Sequence, residues 1–128
     1  MGAHVEAAGI MLLDSGGQGF ELEGNATSLR NLADALPSVD VIQIHAEHGP
    51  ASIHIVRSEG LLLMRQDGSS VTFDGTPERL GELARTIRFV AAGPKLRSTI
   101  QYHAHVEWYE SHPWLDPRSE PVLISLGG

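Results

Sequence analysis

The sequence contains no cysteine, which removes disulfides, thiolate nucleophiles and cysteine-ligated zinc in one step. Basic residues are scarce as well: nine Lys and Arg face sixteen Asp and Glu, for a formal net charge of −7. Phosphate recognition needs a basic footprint, so a nucleic-acid partner is not expected. Long hydrophobic runs are missing. The longest aliphatic stretches, residues 10–13 and 61–64, are strand-sized, far short of the roughly 20 residues of a membrane span. Met1 leads into Gly2-Ala3-His4-Val5-Glu6 with neither a basic start nor an apolar segment. The expectation is a cytoplasmic protein with no membrane partner. Catalytic signatures are absent too. No glycine-rich phosphate loop precedes a helix, and no serine stands in a nucleophile elbow. Ser15-Gly16-Gly17-Gln18-Gly19 is glycine-rich but reads as a flexible hairpin turn.

What is present is an ordinary globular composition. The 128 residues, 41% hydrophobic and 20% charged, suit a single domain over 1–128 with a sizeable core. The acidic balance sits mostly in the first half. Residues 1–58 carry seven acids against two bases, and residues 59–128 nine against seven. Such a surface serves solubility, and it also suits attraction of a basic partner.

A shift of 51 positions brings out an internal repeat. Ile10-Met11-Leu12-Leu13 falls on Leu61-Leu62-Leu63-Met64, Phe20 and Leu22 on Val71 and Phe73, and Gly24 on Gly75. Leu29, Leu32, Ala33 and Leu36 fall on Leu80, Leu83, Ala84 and Ile87. Both quartets have the i, i+3, i+4, i+7 spacing of a helix with one buried stripe. Asn25 and Thr76 stand where each helix needs an N-cap, and Pro77 occupies a first turn, where its missing N–H costs nothing. Pro37 stops the first helix and Gly93-Pro94 closes the second. Two strands precede each helix, joined by the polar turns Asp14-Ser15-Gly16-Gly17 and Gln66-Asp67-Gly68-Ser69. A further strand follows each helix, over 39–47 and 99–109, with others around 53–57 and 122–126. Gln43-Ile44-His45-Ala46 matches Gln101-Tyr102-His103-Ala104 at an offset of 58, which implies a seven-residue insertion and makes His45 and His103 equivalent. The expected fold is α+β: a two-layer, largely antiparallel sheet with two helices on one face, built from two diverged ββαβ repeats over about 5–58 and 59–126.

Six of the seven histidines lie in two corresponding windows, His45, His48 and His54, then His103, His105 and His112. Over residues 99–109, period-two alternation sends Ile100, Tyr102, Ala104, Val106 and Trp108 inward. It leaves Thr99, Gln101, His103, His105, Glu107 and Tyr109 outside. Three readings stand side by side: a solvated sheet face, a protein-binding surface, and a metal site. In the last, His103, His105 and Glu107 are joined by His45 or His54. Same-face residues on one strand stand nearly 7 Å apart, about two rises of 3.3–3.4 Å, which argues against three ligands from one strand. Neither a metal nor a cofactor is therefore expected.

Residues 110–121 read Glu-Ser-His-Pro-Trp-Leu-Asp-Pro-Arg-Ser-Glu-Pro. Pro113, Pro117 and Pro121 make this a stiff loop, with Trp114 and Leu115 either capping the core or presented as an anchor.

Three runs in this region resemble a known family. They are His103-Ala104-His105-Val106-Glu107-Trp108-Tyr109, His112-Pro113-Trp114-Leu115-Asp116 and Ser119-Glu120-Pro121-Val122-Leu123-Ile124. Together they resemble the C-terminal signature of immunity protein family 32, among the small immunity proteins of bacterial polymorphic-toxin systems. The resemblance covers about 25 residues, with only a general match in the preceding helix. It implies a cytoplasmic protein that binds and neutralises a cognate toxin without catalysis. The residues implied for recognition are His103, His105, Glu107, Tyr109, His112 and Trp114. The competing expectation is a small metal-dependent enzyme built on His103, His105 and Glu107.

Overall fold

The computed structural model describes residues 3–14, 19–93 and 103–127. Its strands are β1 (His4–Asp14), β2 (Phe20–Gly24), β3 (Val41–Ala46), β4 (Gly49–Arg57), β5 (Leu63–Asp67), β6 (Ser70–Gly75), β7 (His103–Val106) and β8 (Val122–Leu126). Helix α1 (Ala26–Ala35) follows β2, and α2 (Pro77–Ala92) follows β6. The caps are those the sequence announces: Ser28 N donates to Asn25 Oδ1 at 2.8 Å, and Arg79 N to Thr76 Oγ1 at 3.1 Å. Pro77 opens α2, and Gly93 ends it at a φ of 64°.

The sheet corrects the two-layer, largely antiparallel expectation. Its eight strands run in the order β5-β6-β4-β3-β1-β2-β8-β7. Sequential neighbours pair antiparallel, as β1 with β2, β3 with β4, β5 with β6 and β7 with β8. These hairpins join one another by parallel ladders, β1 with β3, β4 with β6 and β2 with β8. The sheet is therefore mixed. It is also strongly curled. Phe20 on β2 and Phe73 on β6 are four strand steps apart, roughly 19 Å at 4.7–4.9 Å per step, yet their rings stack with centroids 6.4 Å apart. Only a sheet rolled on itself brings them together. Hydrophobic patterning does not reveal this, because it tells a strand which face to bury and not which strand to lie beside.

All four hairpins point toward one end of the sheet, since the parallel ladders fix their strands in a common direction. Each helix leaves and re-enters at the opposite end. There α1 packs on β1 and β2, α2 on β6, β7 and β8, and the helices pack on each other. Leu29, Leu32 and Ala33 of α1, with Leu80, Leu83, Ala84 and Ile87 of α2, join the inward strand residues in one buried cluster. The expected quartets are thus core residues, Leu36 included.

The two halves pair in a matching pattern, at the expected offset of 51 in β2 and β6 and in the helices, but at other offsets in the remaining strands. Leu22 and Phe73 are 51 apart, whereas their ladder partners Leu12 and Met64 are 52 apart. Ile10 and Leu12 are buried on β1, against Leu62 and Met64 in the second half. A one-residue slip in the hairpin exchanges the faces of a whole strand. The ladders also align Ile42 with Val106, an offset of 64, because Ile42 faces Ile53 as Val106 faces Val122. His45 and His103 are therefore not equivalent positions. Residues 15–18 of the first turn, and residues 99–102 of the expected strand 99–109, lie outside the described residues.

Gly9 carries a bulge in β1, where the pairing with β3 shifts between Glu6 and Met11. Its φ is +86°, and a Cβ there would collide with Ser28 Oγ on α1. Gly9→Ala is expected to lower stability by about 2–3 kcal/mol, combining a left-handed backbone penalty with overpacking. A lower urea midpoint at constant m would show it.

Candidate partner-binding surface

Strand β7 is short, and its side chains follow the expected alternation: His103 and His105 are exposed, Val106 is buried and Ala104 packs against the core. The rings of His103 and His105 meet edge to face, centroids 5.0 Å apart. Beyond Val106 the ladder ends and the chain leaves as a loop. Glu107 is exposed. Trp108, expected to face inward, is instead 41% exposed, and Tyr109 is 59% exposed. Once the strand has stopped, the alternation that would bury Trp108 no longer operates.

The tip of the loop is a turn in which His112 N donates to Tyr109 O at 3.0 Å. Ser111 sits in it at a φ of +70°, a conformation a non-glycine residue adopts at a cost of about 1 kcal/mol or more. His112 holds the turn from inside. Its Nδ1 accepts from Leu115 N at 3.1 Å and Trp114 N at 3.3 Å, which places the ring proton on Nε2. Tyr109 packs on His112 at 4.6 Å, and His112 meets Trp114 edge to face at 4.8 Å. Tyr109, His112 and Trp114 thus form one continuous run, running from solvent to the core that Trp114 touches.

Burial pushes the His112 imidazole below its ordinary value of 6.5. The neutral ring is the form the fold favours, so the stability it contributes is complete above the unfolded value. That contribution is lost as pH falls below 6.5 and through the depressed folded value. His112→Asn offers an acceptor that does not titrate, and is expected to flatten the stability–pH slope on the acid side of 6.5. Urea unfolding at a series of pH values measures it.

The far side of the loop is latched to β5. Leu62 N donates to Trp114 O at 2.9 Å and Asp116 N to Leu62 O at 2.8 Å, a parallel bridge centred on buried Leu115. Ser119 Oγ accepts from Met64 N and donates to Leu62 O, both at 3.0 Å. Glu120 N donates to Met64 O at 2.8 Å, and the Glu120 carboxylate accepts from Gln66 N at 2.5 Å. This segment satisfies an edge of β5 that would otherwise offer unpaired backbone groups. Between the two, Arg118 donates from its side chain and its amide to Asp116, holding that carboxyl below the usual range.

Register adds two residues that sequence reasoning missed. Glu23 shares a ladder row with Ser125 and His103, and Glu21 a row with Leu123 and His105. Ser125 Oγ, itself buried, donates to Glu21 at 2.6 Å. The alternation of Phe20-Glu21-Leu22-Glu23 was readable; the neighbour of β2 was not. The same rows bear on the metal reading. His45, Met11, Glu23, Ser125 and His103 lie side by side on successive strands, so three strands separate His45 from His103. His54 is a strand further on, with Nε2 3.0 Å from Ser52 Oγ. Neither completes a site with His103 and His105. Among the described residues no three His, Asp or Glu side chains gather into a metal-binding group.

Fold and surface together define a small α+β protein whose most elaborated feature is a loop presented by a latch. The family model described as Immunity protein 32 matches residues 70–127, the stretch that holds β6, α2, β7, the loop, the latch and β8. The second half of the chain is thus similar to that family, as the motifs between His103 and Ile124 imply, and the similarity points to an immunity protein. No curated protein and no solved structure matches the chain. No helix among the described residues is long and apolar enough to cross a membrane.

Proposed function

We propose that this chain is a cytoplasmic, non-catalytic immunity protein of a polymorphic-toxin system that neutralises a cognate toxin by direct binding. The observation that carries the reading is the coincidence of the family match over 70–127 with the exposed loop tip at Trp108 and Tyr109. Aromatic side chains on a preorganised loop lose little entropy on binding and are the usual anchors of an interface. The strained turn at Ser111 is over-determined by His112 and the latch, a pattern common at recognition sites. We assign recognition to His103, His105, Glu107, Tyr109, His112 and Trp114, with Trp108 added. The net charge of −7 favours a basic toxin face. The matched pairing of the two halves supports an origin by duplication within a single domain.

The test is co-purification with the product of the adjacent gene and protection of cells that express it. His105→Ala is expected to weaken binding severalfold without altering stability, since the side chain is exposed. No complex and no protection with the parent chain would sink the reading.

A further inference from the structure

The hairpin-tip end of the sheet opens as a cleft of about 670 Å3, within the range of small-ligand sites. Its walls are the ends of β1, β3, β4 and β5 and the β5–β6 turn. Leu12, Leu13, Ala46 and Pro50 supply apolar surface, and Asp14, Glu47 and His48 supply polar side chains. Among the described residues, no lysine or arginine lines it. Neither Asp14 nor Glu47 enters an ion pair among the described residues. The walls end in small turns, with Gly49 and Gly68 meeting nothing at their Cβ positions. A cleft part apolar and part anionic, with no lysine or arginine among its described lining residues, is complementary to a long side chain with an aliphatic stem and a positive head. It also lies at the sheet end where β7 gives way to the loop, because Val106 pairs with Val122 there. One partner surface therefore reaches both.

We propose that this cleft receives an arginine or lysine side chain of the partner protein. The stem runs along Leu12, Leu13, Ala46 and Pro50, and the head meets the carboxylates of Asp14 and Glu47. The proposal rests on the binding reading above for the identity of the partner, but its first test does not need that partner. The 15N-labelled full chain is titrated at pH 7.5 with argininamide and, separately, with citrullinamide, its uncharged isostere. Saturable shifts of the Glu47, Gly49, Gly68 and Ser69 amides are expected with argininamide alone. The Asp14→Asn, Glu47→Gln double variant should lose at least about tenfold in affinity. Both residues are exposed, so its urea midpoint should match the parent's. Equal shifts with the two amides, or undiminished binding by the double variant, would overturn the assignment. If argininamide binds as described and no toxin complex forms, the immunity reading fails alone. If the toxin binds parent and double variant equally and argininamide causes no shift, the cleft assignment fails alone.

Discussion

Truncating Leu115 to alanine is expected to cost about 3–5 kcal/mol of folding stability, the upper part of the range for a buried leucine. Leu115 has 0% exposure and anchors the chain where it closes the open side of the curled sheet. Its neighbours cannot collapse freely into the space, because Trp114 O and Asp116 N on either side are bonded to Leu62 at 2.9 and 2.8 Å. A loss of this size is a large fraction of the 5–15 kcal/mol typical of a domain. Urea unfolding should show a midpoint shift with little change in m. Ser119→Ala is the milder companion. It leaves Met64 N without its 3.0 Å partner and should cost about 1–2 kcal/mol. A Leu115→Ala loss below about 1 kcal/mol would mean that the latch is an accessory and not part of the core.

Trp108→Ala and Tyr109→Ala are expected to do the opposite: little to stability and much to binding. Trp108 at 41% and Tyr109 at 59% exposure lie outside the buried cluster, so each truncation should stay within about 1 kcal/mol in unfolding. As interface anchors each should cost about 2–4 kcal/mol in affinity, roughly 30- to 1,000-fold. Calorimetric titration of the toxin into each variant at fixed salt reads the loss. Trp114→Ala is a poorer probe, because Trp114 packs against the core and its loss mixes the two effects. Variants that bind as tightly as the parent would move the interface elsewhere on the molecule.

The local signals in the chain were strong and the long-range ones were silent. Helix stripes, Asn25 and Thr76 caps, Pro77 and the β5–β6 turn at Gly68 are legible because each is decided within a few residues. Curling is not, because nothing in Phe20 or Phe73 says that they will stack across four strands. The His45–His103 equivalence followed from a four-residue match at an offset of 58. The ladders override it, since pairing is set by which face each whole strand must bury. Trp108 was placed inward by extending alternation past Val106, where the strand in fact ends. The residues proposed for recognition, His103, His105, Glu107, Tyr109, His112 and Trp114, came from motif resemblance. The structure joins Tyr109, His112 and Trp114 into one run, and keeps His103 and His105 as a separate pair on β7. Glu21 and Glu23 escaped because only the β2–β8 ladder brings them alongside that pair.

If the chain neutralises a toxin by binding, the second-half loop and the end of β7 meet that toxin. Amide hydrogen exchange of the full chain, with and without the product of the adjacent gene, tests this most directly. Slowed exchange is expected over residues 103–115 in the complex, with the outward faces of α1 and α2 unchanged. Protection confined to the helices, or a stable complex with exchange at 103–115 unaltered, would contradict it.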